Sequence, residues 1–250
     1  MNQAEDDNEL PFMDHLIELR SRLMKALAVV LVVFLGLLPF ANRLYHFFAG
    51  PLLSKLPEGN QMIAIEVASP FLIPMKLAFF VALLISMPVL IYQLWAFVAP
   101  GLYRNEKSLA APLLISAILL FYLGCAFAFF LVLPTVFGFL HSVAPVGVAV
   151  MTDIGKYLDF VLVIFFAFGV CFEVPVAVVI LTLLGWVNPK QLAEARSYVV
   201  VIAFIIAAVL TPPDVVSQLM LAIPMIVLYE VGLLAARWLP RRAKAKAEAT

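Results

Sequence analysis

Phe160-VLVIFFAFGVCFEVPVAVVILTLLG-Trp186 is a run of apolar residues broken by a single charge, Glu173, with Pro175 two positions on. A run this long and this apolar reads as a membrane-spanning helix. Backbone polar groups in lipid must pair internally, which leaves only helices or a closed barrel. The run does not alternate between polar and apolar positions, as a barrel strand would. It therefore predicts an all-α membrane protein. It also singles out Glu173, because an ionisable side chain inside a span is costly and marks a functional site by default.

Outward from this stretch, five further apolar runs appear when the chain is cut at charges and at proline and glycine clusters. The expected spans are Leu23 to Ala41, Phe71 to Phe97, Leu109 to Leu133, Tyr157 to Leu184, Ser197 to Leu210 and Val216 to Ala236. Composition agrees with the class: 65% of residues are hydrophobic, 13% are charged and mean hydropathy is +1.08, far from a soluble domain. The reading is one integral membrane domain over residues 1–250. It comprises a cytoplasmic amphipathic arm (1–22), six spans (23–236) and a basic cytoplasmic tail (237–250), to which only surface solvation is assigned. The start, MNQAEDDNELPF, is acidic and lacks a basic segment leading into an apolar one. The first span is therefore expected to remain as an anchor.

Net charge is zero, so the information lies in its distribution. With six spans, one side receives Arg20, Arg22, Lys25, Arg104, Lys107, Lys190, Arg196, Arg237, Arg241, Arg242, Lys244 and Lys246. The other receives Arg43, Lys55, Lys76 and Lys156. Basic residues favour the cytoplasmic side, so both termini are expected there. The outer connections Asn42 to Pro70 and Pro134 to Lys156 are expected to hold short helices and turns that cap the outer face. Lys76, near the outer end of its span, is expected to extend its ammonium to the interface. Prolines at 39, 74, 88, 112, 175 and 224 predict kinked helices and a concave wall rather than a straight bundle.

The fifth span is short: Tyr198 to Leu210 would make about 20 Å of helix, against a hydrocarbon core of about 30 Å. Thr211, Pro212, Pro213 and Asp214 follow at once, so either the turn lies below the outer surface or thins the bilayer locally, or the short helix is simply surrounded by its neighbours.

Catalytic signals are poor. His15, His46 and His141 are scattered, and no metal-ligand spacing, phosphate loop or nucleophile motif appears,. Cys125 and Cys171 lie inside apolar runs and read as small hydrophobes. No enzyme, cofactor, metal or nucleic-acid partner is expected. Four features remain. Glu18, in the amphipathic arm, is either an i, i+4 partner for Arg22 or a ligand site. Glu106, ahead of the third span, either stabilises a helix N-terminus or binds a ligand. Glu173 is a structural acid, a proton or cation site, or an anchor for a partner helix. Thr211, Asp214, Ser217 and Gln218 form a polar cluster that must turn inward or bond a partner helix.

Several stretches resemble TatC, the multispanning receptor subunit of the twin-arginine protein translocase. They are His15-Leu-Ile-Glu-Leu-Arg-Ser-Arg-Leu, Ala68-Ser-Pro-Phe, Tyr92-Gln-Leu-Trp-Ala-Phe-Val-Ala-Pro-Gly-Leu-Tyr-Arg-Asn-Glu, Ala167-Phe-Gly-Val-Cys-Phe-Glu-Val-Pro-Val, Leu210-Thr-Pro-Pro-Asp and Ala222-Ile-Pro-Met. They occur in the family's order over nearly the whole chain. The resemblance implies a receptor in the bacterial cytoplasmic (inner) membrane that binds twin-arginine signal peptides of folded proteins. It implies that Glu18 and Glu106 bind the arginine pair, with Leu19 and Phe97 flanking them. It further implies that Glu173 is the family's membrane-embedded acid. Thr211, Asp214, Ser217 and Gln218 would contact the single-span TatB-like and TatA-like partners within a homo-oligomeric receptor complex. The competing reading from the residues alone is a proton-coupled small-solute transporter using Glu173, with a membrane insertase third.

Overall fold

The computed structural model describes residues 3–53, 63–98, 110–142, 153–211 and 215–248. Among them the architecture is helical. α1 (Gln3–Leu37) passes through a 3₁₀ turn at Leu38–Phe40 into α2 (Ala41–Leu53). Then come α3 (Ser69–Val98), α4 (Ala110–Phe127), a π-helical segment (Ala128–Val132) and α5 (Leu133–Ser142). α6 (Ile154–Phe172), α7 (Val174–Leu183), α8 (Pro189–Glu194), α9 (Arg196–Leu210) and α10 (Val215–Glu248) complete the order. Among the described residues, five stretches are long and apolar enough to cross a membrane: Leu16–Phe48, Ser69–Phe97, Ala111–Phe139, Ile154–Leu183 and Val215–Trp238. α9, at 15 residues, is the short helix expected from the sequence, about 22 Å long.

The α6–α7 span is the most enclosed of the five and the one near the N-terminus the least. Enclosure follows from residue size at the crossings. A Cβ on Gly124 of α4 would meet the Phe168 carbonyl oxygen of α6 at 2.5 Å, and a Cβ on Gly169 would meet the Phe121 ring at 2.6 Å. The two glycines thus let α4 and α6 approach backbone to backbone, the usual device where lipid gives helices no hydrophobic reason to associate. Gly232 plays the same part for α10, where a Cβ would meet Pro175 Cα at 2.7 Å. Phe121, Phe168, Leu77, Leu133, Leu158 and Ile164 fill the fully buried centre.

Two boundaries differ from the sequence reading, and the end of the fourth span near Leu184 agrees with it. Pro134 does not end the third span. The Leu133 N–H bonds the Ala128 carbonyl in π register, and the helix continues through Pro134 to Ser142. The wider π turn accommodates a proline that an α-helix interior would reject. The fourth span breaks at Glu173, whose N–H bonds Val170 O at 3.0 Å. Pro175 cannot donate one turn back, so α6 stops and α7 restarts. Gly185, at φ 72, then ends α7: its N–H bonds Thr182 O and the Trp186 N–H bonds Leu181 O, both at 3.1 Å, a Schellman cap.

The two segments expected to cap the outer face are joined to each other. Ile154 N–H donates to Ile63 O at 2.9 Å. Asp153 caps α6 by accepting from the Lys156 N–H at 3.1 Å and also takes the Ile65 N–H at 3.3 Å. These backbone donors hold the Asp153 carboxyl below its ordinary value, the Lys156 bond being the largest cause. Lys76 is also more than a side chain reaching for water: it forms an ion pair with Asp159 of α6. The sequence reading missed this pair because Asp159 sits in the opening turns of a span counted as apolar.

Candidate functional site

α1 and α3 run antiparallel, and their register decides what meets where the N-terminal arm joins the first span. The Phe34 and Phe79 rings pack edge to face with centroids 5.6 Å apart. Three turns back along α1, Arg22 Nη1 donates to Gln93 Oε1 at 3.3 Å. One more turn in the same register brings Glu18 and Leu19 level with Phe97. α1 reaches this point as one unbroken helix, so arm and first span are rigidly continuous.

Glu18 itself is engaged. Its Oε1 accepts from Arg22 Nε at 2.9 Å and from Arg22 Nη2 at 2.6 Å. The pair is partly shielded, with side-chain exposures of 24% for Arg22 and 38% for Glu18. Leu19 is exposed and Phe97 half-buried. The arrangement is a carboxylate already in contact with a guanidinium at one end of two spans, with Phe97 level with it by helix register. Charge-assisted bonds of this kind are about twice as strong as neutral ones. Glu106 lies outside the described residues. Gln93 was not singled out from the sequence. The available signal was a lone amide in an apolar helix, one turn before the helix-ending aromatic.

Glu173 occupies the joint between α6 and α7. It is half-buried, and its Oε1 is enclosed with no hydrogen-bond partner among the described residues. Lys76, the cation nearest in kind, is committed to Asp159.

The described members of the polar cluster turn inward. Thr211 is buried and its hydroxyl donates to Ala207 O at 2.8 Å. Gln218 Nε2 donates to Phe204 O at 3.3 Å, closing α10 onto α9, and Ser217 is buried. Asp214 lies outside the described residues. At the opposite end, Arg196 pairs with Glu230 at 2.7 Å and the Tyr229 hydroxyl donates to Leu192 O at 2.6 Å. α9 is thus tied to α10 at both ends, which fixes a helix too short to span the bilayer by itself.

No group of three or more metal-ligating side chains occurs among the described residues. Five apolar spans, a guanidinium-bound carboxylate near the start of the first and one acid at a helix joint define the described residues as a multi-pass α-helical membrane protein. The sequence profile described as "Sec-independent protein translocase protein (TatC)" matches residues 14–224, and the chain belongs to the TatC family. A Sec-independent protein translocase protein TatC from Escherichia coli (strain K12) is 54% identical over 228 residues, covering 91% of this chain and 88% of that one. The TatC from Halothiobacillus neapolitanus is also 54% identical, over 98% of this chain and 68% of its own length. A crystal structure of the twin-arginine translocase receptor TatC superposes with a TM-score of 0.79 at 37% identity, covering 89% of this chain and 98% of that one. The family is one of protein-transport components, and its helical fold is the one described here.

Proposed function

We propose that this chain is the core receptor of a twin-arginine translocation system in a bacterial cytoplasmic membrane. In this reading it has six spans, with α9 as the fifth, and both termini on the cytoplasmic side. It docks the arginine pair of signal peptides on folded substrates and recruits TatB-like and TatA-like single-span subunits. The observation that carries the reading is the Glu18 carboxylate, half-exposed on α1 and already taking two N–H bonds from a guanidinium. A site that holds Arg22 in this way has the geometry to hold an incoming arginine. Lysine, a point charge without the planar fork, reproduces it poorly. Glu106 is assigned as the second carboxylate, for the second arginine. Glu173, with one oxygen unpartnered, is assigned to partner subunits, as is the Thr211, Asp214, Ser217 and Gln218 turn.

The test is crosslinking of an Arg-Arg signal peptide to the chain in native membranes, with a Lys-Lys peptide alongside. Glu18→Ala is expected to weaken Arg-Arg binding at least tenfold, about 1.4 kcal/mol, with unfolding temperature unchanged. Wild-type binding by both Glu18→Ala and Glu106→Ala would remove the assignment. The competing reading, a proton-coupled transporter, rests on the unpartnered Glu173 oxygen. It predicts solute uptake by the chain alone in sealed vesicles, which the receptor reading does not.

A further inference from the structure

We propose that the cavity between the start of α6 and the neighbouring faces of α1 and α3 binds the headgroup and adjoining acyl chain of a phospholipid that carries a primary ammonium, of the phosphatidylethanolamine kind. The cavity has a volume of about 510 Å³, inside the range of about 300–1,000 Å³ usual for small-molecule sites. Its lining is graded from charged to apolar. Glu66, Asp153 and Lys156 line it just before α3 and at the start of α6. One to two turns further into the spans come Lys76 and Asp159, and then Phe79, whose ring packs edge to face on Phe34 of α1. Leu72, Lys76 and Phe79 fall at i, i+4 and i+7, on one face of α3, and both Leu72 and Phe79 are exposed. A soluble ion would meet only the charged end, whereas an amphiphile lying along the spans meets both.

The charges decide the headgroup. Lys76 and Asp159 pair with each other, and the two Asp153 oxygens accept the backbone N–H groups of Ile65 and Lys156. The Lys156 ammonium and the Glu66 carboxylate are in no ion pair among the described residues, and both residues are exposed. One cation and one acid thus remain at the mouth, the complement of a phosphate joined to an ammonium. A primary ammonium has three N–H groups to donate and makes charge-assisted bonds to a carboxylate such as Glu66. A quaternary choline has none to give. An anionic headgroup without an amine would set its phosphate against a lining with three acids, Glu66, Asp153 and Asp159, and two lysines. Lys156 is assigned to the phosphate and Glu66 to the ammonium, with the first acyl carbons against Leu72, Phe79 and Phe34.

In the experiment the full chain in detergent is offered equal amounts of phosphatidylethanolamine, phosphatidylcholine and phosphatidylglycerol with the same acyl chains. The lipid retained is counted by native mass spectrometry. Wild type is expected to retain phosphatidylethanolamine about two- to fivefold above each of the others, the range for a partly exposed charge contact. Lys156→Gln is expected to lower that retention by a similar factor, and Glu66→Gln to erase the advantage over phosphatidylcholine. Lys190→Gln, which removes an exposed lysine outside the cavity, should behave as wild type. All three replace exposed side chains, so unfolding temperatures without added lipid should match wild type. O-phosphoethanolamine, the headgroup without its chains, should not displace the lipid at equal concentration. Equal retention of the three lipids means annular lipid only and overturns the site. A preference that survives both Lys156→Gln and Glu66→Gln overturns it too. Displacement by O-phosphoethanolamine overturns the lipid and leaves a site for soluble phosphates.

Discussion

The arm of α1 and the joint between α6 and α7 each carry a glutamate, and the two regions treat it in opposite ways. Glu18 stands half-exposed on a continuous helix and is satisfied locally by a residue one turn away. Glu173 stands where a helix is interrupted, with one oxygen enclosed and no partner for it among the described residues. The joint cannot relax to find one. The α6 half of the span is clamped to α4 through Gly124 and Gly169, and the α7 half to α10 through Gly232. A carboxylate whose present partner is cheap to replace suits exchange with a transient ligand. A carboxylate fixed in place, with one oxygen unpartnered among the described residues, costs the isolated chain stability,.

The comparison fails if the clamps are not rigid, so they are the first place to break it. Gly124→Leu drives side-chain atoms into the Phe168 carbonyl, which is backbone and cannot swing aside. The expected loss is about 3 kcal/mol, the upper range for overpacking, seen as a lower unfolding temperature in detergent. Gly36→Ala on α1, where a Cβ meets nothing within 4 Å, is the control. It should be neutral or gain up to about 1 kcal/mol from helix propensity. Equal behaviour of the two variants would mean that α4 and α6 are not held together at this crossing.

Replacing each glutamate tests the contrast directly. Glu173→Leu removes a buried oxygen that lacks a partner, a group that costs about 1–3 kcal/mol where it stays unsatisfied. The isolated chain should therefore melt at a higher temperature while losing whatever the acid does for assembly. Glu18→Gln removes only a one-turn ion pair, worth a few tenths of a kcal/mol, and should leave the melting temperature where it was while impairing peptide binding. A stabilised Glu18→Gln with a destabilised Glu173→Leu would invert the interpretation of both sites.

Much of this was legible in the sequence, for reasons that differ by residue. The spans were readable because lipid enforces long apolar runs, and the shortness of α9 because charges and prolines bracket it. Glu173 was readable because nothing else in its run is charged. The passage of the helix through Pro134 was not, since a π turn is a property of backbone register with no composition of its own. The Lys76–Asp159 and Arg22–Gln93 contacts join residues distant in sequence, and no local pattern announces which helices cross. Arg22 was visible as a partner for Glu18 by its spacing, but its bond to α3 needed the antiparallel register. The inward turn of Thr211 and Gln218 was one of two readings that polarity alone left open.

The start of α6 offers a finer version of the same contrast, because Asp153 is an acid held by backbone rather than by a cation. Its carboxylate accepts the Lys156 N–H at the start of α6 and the Ile65 N–H from the segment before α3, and these bonds depress its pKa below the usual 3.8. A carboxyl whose pKa is lower folded than unfolded stabilises the structure fully above its unfolded value. That contribution is lost as pH falls through the lowered folded value. The tie between the two segments should therefore hold at neutral pH and open only in acid. The readout is amide exchange at Ile65 and Lys156 across a pH series, corrected for intrinsic rates. Wild type should lose protection at the acid end. Asp153→Ala should show low protection at every pH, with the amides of α4 and α6 at the Gly124 crossing unaffected. Protection at Ile65 that persists in Asp153→Ala would mean that the Ile63–Ile154 backbone bond alone joins the two segments, leaving the carboxylate only its capping of α6.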